Sequence, residues 1–234
     1  MKPIIKKELC IYFNTPIAWV FIAVLVCVGS ILFSLFNLFG QSSAIGPVFS
    51  ILPTVFIVMT PLLTMRLIAE ERSLKTDQLL LTSPISVSSI VWGKLISAII
   101  IFCIAILIMF MYPVILSFYS DVDWGTVFTN YLGFFLFGSA LISIGLFISS
   151  LTENQLTAAI LTIAVLLGMF LLSYLTDTTG FAPIDFLLDI LKITRRFDGF
   201  FTGFIRITDV LYYVSITVIF ALLTVYRIEK RKIK

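Results

Sequence analysis

The chain has 234 residues, 60% of them hydrophobic and 12% charged, with 16 Lys and Arg against 13 Asp and Glu. A water-soluble domain of this length could not cover its core with so few charges, which are also bunched: none occurs between Glu8 and Arg66, Lys94 and Asp121, or Asp123 and Glu153. The solvent is therefore lipid, and the net charge of +3 reads as a topology signal and not as a nucleic-acid footprint.

In Met1–Pro16, Ile5, Leu9, Tyr12 and Phe13 share one broad helical face, with Lys7 and Asn14 opposite and Ile4 and Ile11 interrupting the polar side. Two readings stay open, an interfacial helix on the inner surface or only a positive anchor for the first crossing. About 20 apolar residues span a bilayer as a helix, so the uncharged runs predict six crossings, over 17–39, 48–67, 95–118, 126–150, 155–176 and 210–226. The runs are continuously apolar, which favours helices over barrel strands that would alternate. The expected fold class is thus an all-α integral membrane protein, one transmembrane domain over residues 1–234.

Gly40-Gln41-Ser42-Ser43 and Gly46-Pro47 break the pattern between the first two crossings. In the second, Pro53 and Pro61 each remove a backbone donor, with Thr54, Thr60 and Thr64 available to satisfy freed carbonyls. The loop 69–94 is longer than an antiparallel connection needs. Glu71 and Lys75 sit four apart for a helical ion pair, Pro84 should stop that helix, and Ser86 or Ser88 could cap a restart through Gly93-Lys94 into the third crossing. This predicts a bent hairpin whose Glu70, Glu71, Arg72 and Asp77 either dock a partner or merely solvate the loop.

An even number of crossings puts both ends on one side, with 12 of the 16 positive residues, including Lys2, Lys6, Lys7, Arg66, Arg72, Lys75, Lys94 and the Arg227–Lys234 tail. Positive charge is retained in cytoplasmic loops, so that side is expected to be the cytoplasm. The other four, Lys192, Arg195, Arg196 and Arg206, fall in the external stretch 177–209. There Pro183 is placed to open a helix with an Ile184, Leu187, Leu188 and Leu191 stripe. Phe197, Phe200, Phe201 and Phe204, with Gly199 and Gly203, follow in a segment too apolar for a free loop, expected to pack back into the outer boundary.

The first apolar run is too long for a cleaved signal peptide. Cys10, Cys27 and Cys103 are isolated, implying neither a disulfide framework nor a metal cluster. Enzymatic chemistry has little support: the chain has no His, no carboxylate lies in mid-crossing, and Glu70 and Glu71 point about 100° apart on a helix, so they cannot share a proton. Gly93-Lys94 lacks the preceding Gly of a phosphate loop, so no nucleotide, metal or other cofactor is expected on this chain.

Four ordered stretches carry a resemblance to a known family. They are Lys6-Lys7-Glu8-Leu9 with Tyr12-Phe13-Asn14-Thr15-Pro16; Glu70-Glu71-Arg72 leading to Leu79–Ser86 and Ile90-Val91-Trp92-Gly93-Lys94; Arg196–Ile205; and Asp209-Val210-Leu211-Tyr212-Tyr213 with the basic tail. The chain resembles the membrane-spanning permease subunits of type-2 ATP-binding-cassette (ABC) exporters, especially the gliding-motility and copper-enzyme-maturation permeases. Lys75 departs from the family, which often has Gly there.

The resemblance implies a permease in the plasma membrane of a bacterial cell, paired with an identical or related second permease chain. Separate cytoplasmic ATP-binding-cassette ATPase subunits would hold the ATP and magnesium. It further implies coupling through an interfacial helix (Lys6, Lys7, Glu8, Tyr12, Phe13) and the hairpin (Glu70, Glu71, Arg72, Leu74, Asp77, Leu81). Phe197, Gly199, Phe200, Phe201, Gly203 and Phe204 would belong to an external gate. Two other classes stay open: an ATP-independent carrier or channel, which should place a charged or strongly polar site at mid-membrane, and a non-transporting scaffold in which Ser139, Ser143 and Ser149 serve as packing contacts. A lining of Phe, Ile, Leu, Ser and Thr would suit an apolar or amphipathic cargo.

Overall fold

A computed structural model describes residues 2–75, 86–175, 193–201 and 203–232. Asp77, Leu81, the Pro84 stop and the helix expected from Pro183 lie outside the described residues. Among those described, regular structure is entirely helical, and six helices are long and apolar enough to cross a membrane.

The chain begins with α1 (Lys2–Asn14), breaks at Thr15, and enters α2 (Pro16–Phe33) with Pro in its first turn, where a missing backbone donor costs nothing. A π turn over Ser34–Phe39 ends this crossing. Asn37 Nδ2 donates to the carbonyls of Ser42 (2.8 Å) and Ala44 (2.9 Å), stitching the connection to α3 (Gly46–Thr64). That helix runs unbroken through Pro53 and Pro61. The carbonyls they free are those of Phe49 and Ile57, four residues back, yet Thr60 Oγ1 donates to Phe56 (2.7 Å) and Thr64 Oγ1 to Thr60 (3.2 Å). These two hydroxyls therefore do not perform the expected rescue.

After a loosened turn comes the short α4 (Ala69–Ser73). Ser86 then caps α5 (Val87–Met109) through its hydroxyl and the Ser89 amide, and α6 (Met111–Ser117) completes the third crossing. Asp123 caps α7 (Trp124–Leu151), accepting from the Gly125 amide (3.0 Å) and Thr126 Oγ1 (2.5 Å), bonds that hold its carboxyl below the usual carboxylate range. The last crossings are α8 (Gln155–Leu175) and, beyond a 3-10 turn at Arg195–Phe197 and α9 (Asp198–Phe201), α10 (Ile207–Lys232).

Burial sorts these helices. Within the most apolar window of each crossing, 78% of α7 is buried but only 17% of α8 and 22% of the α10 crossing. α7 is the axis, packed against α3, α5, α8 and α10. Small residues allow the close approach: a Cβ on Gly138 would run into the Phe102 ring, and one on Gly145 would lie 2.5 Å from Thr64 Oγ1. Rings of Phe49, Phe56, Phe102 and Phe134 interlock at 4.5–5.8 Å in the core between α3, α5 and α7. Ser139 and Ser143 donate back to carbonyls of their own helix, at Phe135 and Ala140.

Candidate functional site

At one end of the bundle, four separate parts of the chain converge on a set of charges. Lys94, two turns inside the apolar helix α5, is 2% exposed. Its ammonium lies 2.9 Å from Glu8 Oε1 of α1 and 3.0 Å from Glu71 Oε2 of α4. Lys7 reaches the other oxygen of Glu71 at 3.4 Å, and Arg66 grips Glu70 with two bonds, Nε to Oε2 at 2.5 Å and Nη2 to Oε1 at 2.7 Å. The three cations and three carboxylates balance, and Lys94 and Glu8, the two that are buried, are paired with each other, a condition for charges out of water to be kept.

Gly93 explains how α1 reaches Lys94. A Cβ there would lie 2.9 Å from Ile4 Cγ2, so only glycine admits the helix this closely. The face of α1 that is buried is therefore Ile4, Glu8 and Tyr12, while Ile5, Leu9 and Phe13 are only half-buried. Ile4, expected to interrupt the polar side, instead fills the notch. Tyr12 donates to the Leu63 carbonyl at 2.6 Å, satisfying an orphan at the end of α3, and burial pushes its phenol up.

α7 braces the same region. The Ser149 hydroxyl accepts from the amides of Ile68 (3.3 Å) and Ala69 (3.1 Å) and donates to the Met65 carbonyl (3.3 Å), so it ends one helix and starts the next. Arg72 Nη1 donates to the Thr152 carbonyl at 3.2 Å, at the C-terminal end of α7. Arg231 of the last helix pairs with Glu153 at 2.9 Å, bringing both ends of the chain to this charged pole.

Between α1, the end of α3, α4 and α5 lies a cavity of about 220 Å³, lined by Lys7, Glu8, Tyr12, Arg66, Glu71 and Lys94 among others. Leu74 stands at its edge with 65% of its surface exposed. One sequence expectation needs correction. The Glu71–Lys75 helical pair does not form as such, because α4 ends at Ser73 and Lys75 turns into the left-handed region at φ 57°. A glycine adopts that conformation freely, which is why Gly suits this position. Glu70 and Glu71 also turn into the chain's own cluster, so they are not simply solvating the loop.

The opposite pole is built from rings. Phe200 is fully buried, and a Cβ on Gly133 of α7 would lie 2.6 Å from its own Cβ. Phe197 packs on Phe137 at 5.7 Å, and Phe201 presses on Gly46 at the start of α3. Gly203 turns the chain at φ 83° beside Thr126. Gly199 lies close to Asp209 at the start of α10, and Phe204 remains 70% exposed. Arg196 caps this layer, 4.3 Å above the Tyr212 ring and 3.6 Å from Asp209, while Tyr213 donates to the Ile193 carbonyl at 2.8 Å.

A polytopic helical membrane protein with an ionic and an aromatic pole is the class that these observations define. A model of the ABC-2 family transporter proteins matches residues 28–226, most of the chain. The chain therefore belongs to that family, as the membrane-spanning permease component of an ABC transporter. A comparison with curated proteins found no match.

Sequence reasoning gathered Lys7, Glu8, Tyr12, Glu70, Glu71 and Arg72 but missed the residue that joins them. The signal was present: Lys94 is the one charged residue between Asp77 and Asp121, and a lone cation entering an apolar helix requires a counter-charge. Arg66, the first charge after a 57-residue uncharged run, carried the same message.

Proposed function

We propose that this chain forms half of the pathway of an ATP-driven exporter, paired with a second permease chain, with its charged pole facing the cytoplasm of a bacterial cell. Separate ABC ATPase subunits dock on that pole and carry the ATP and magnesium. The observation that supports this reading is Lys94 held between Glu8 and Glu71. A single buried cation ties α1, α4 and the third crossing into one body, so a push delivered at α4 moves α5 instead of bending a loop.

In this reading Leu74, exposed beside the cavity, offers the apolar contact to the ATPase, with Arg72, Asp77 and Leu81 as further docking residues. The external segment Phe197–Phe204 closes the far end, its Phe200 seated against Gly133 as a plug that must lift for outward release.

The test is co-purification and uptake. Leu74→Glu should abolish co-purification with the ATPase partner while leaving the permease folded, because Leu74 is exposed. Inverted vesicles carrying both wild-type subunits should accumulate cargo with ATP and not with a hydrolysis-dead partner. Accumulation that is indifferent to the partner would overturn the proposal in favour of a carrier.

A further inference from the structure

We propose that the outer groove of α1 is a docking surface for anionic phospholipid headgroups, so that the charged pole is seated on the membrane by lipid charge as well as by apolar burial. Lys2, Ile5, Lys6, Leu9, Cys10 and Phe13 line a groove of about 410 Å³ along this helix. At 100° per residue these six fall on one side of α1, and Ile4, Glu8 and Tyr12 point the other way. The helix's single acid is therefore withdrawn from the groove and neutralised by Lys94 at 2.9 Å. Lys2 and Lys6 are exposed, and neither meets a carboxylate among the described residues.

The groove is continuous with the membrane-facing side of the first crossing. Phe13 meets Trp19 edge-on at 5.6 Å, and the Trp19 indole N–H donates to the Phe13 carbonyl at 3.0 Å. Trp19 is exposed, as are Val20 and Ile31 further along α2. An exposed indole at the mouth of an apolar helix marks the level where lipid meets water. Lys2 and Lys6 share this side of α1 with Ile5, Leu9 and Phe13, so their long side chains extend to the headgroups while the apolar side chains meet the acyl chains. Two cations that meet no carboxylate among the described residues, set among half-buried apolar side chains, fit a phosphodiester that carries net negative charge better than a zwitterionic one.

This deepens the reading of α1 as an interfacial helix and is tested without any ATPase, so it can fail while the coupling proposal stands, and the reverse. The full chain carrying Cys27→Ser and Cys103→Ser is labelled at Cys10 with bimane and placed in nanodiscs of equal phosphatidylcholine and phosphatidylglycerol. One or the other lipid is brominated. The quenching should report a local phosphatidylglycerol excess of about five-fold, the scale set by one cation near an anionic surface. Lys2→Gln/Lys6→Gln should bring the ratio to about one, and so should about 0.5 M salt on the otherwise unaltered chain, by screening. Arg227→Gln/Lys230→Gln, with the same loss of charge elsewhere on this pole, should leave it unchanged. Three results would overturn the proposal: a ratio near one before the lysines are replaced, a preference that survives their replacement, or no quenching by either lipid, which would mean that protein covers the groove.

Discussion

The two poles of this bundle solve the same problem with opposite chemistry. At the charged pole, segments up to 86 positions apart in sequence are joined by ion pairs, and packing admits them only where Gly93 leaves room. At the aromatic pole, Phe197 and Phe200 are joined to α7 and α10 by ring contacts, and Arg196 pairs with Asp209 and lies over the Tyr212 ring. Ring contacts are short-ranged and additive in small steps, whereas a buried charge network fails when one member is lost. The charged pole is therefore suited to transmitting motion as a block, and the aromatic pole to separating in stages.

The largest test of that contrast is Lys94→Met. It leaves the buried Glu8 without its cation, beside the carboxylate of Glu71, and should cost about 3–5 kcal/mol in reversible unfolding in detergent. Adding Glu8→Gln and Glu71→Gln should recover most of the loss, because a neutral core tolerates what a half-paired one does not. At the other pole, Gly133→Ala drives a methyl into Phe200 and should cost about 1–3 kcal/mol, with no rescue by charge removal and little dependence on salt.

Smaller effects sharpen the picture. Lys75→Gly should stabilise by up to about 1 kcal/mol, since only the left-handed backbone there penalises a side chain. Glu153→Gln removes an exposed pair with Arg231 and should change stability by less than about 1 kcal/mol, an effect that vanishes in high salt. If Glu153→Gln matched Lys94→Met in size, burial would not be what separates the two kinds of ion pair.

The crossings were legible because lipid forbids charge, so long uncharged runs could only be spans. Their ends were less so. The second was expected to reach residue 67 but its helix stops at Thr64, because Tyr12 and Ser149, from elsewhere in the chain, take up the carbonyls of Leu63 and Met65. Ser86 was readable as a cap because capping is local. The buried face of α1 was readable only in part: amphipathicity favours Ile5, Leu9, Tyr12 and Phe13, of which Tyr12 is buried, and the choice of Ile4 and Glu8 beside it depends on Gly93 opposite. For the same reason Lys94 stood in view as part of a motif while its two partners, on two other segments, did not.

The account turns on whether Lys94 and its two carboxylates carry the stroke from the ATPase side into the bundle. The direct measurement is cargo transported per ATP hydrolysed in vesicles bearing the neutral triple variant Glu8→Gln/Glu71→Gln/Lys94→Met with its ATPase partner. The variant should fold and co-purify normally yet lose at least about ten-fold in transport per ATP, the loss that corresponds to roughly 1.4 kcal/mol of coupling. Unchanged transport per ATP in a folded, ATPase-bound triple variant would contradict it.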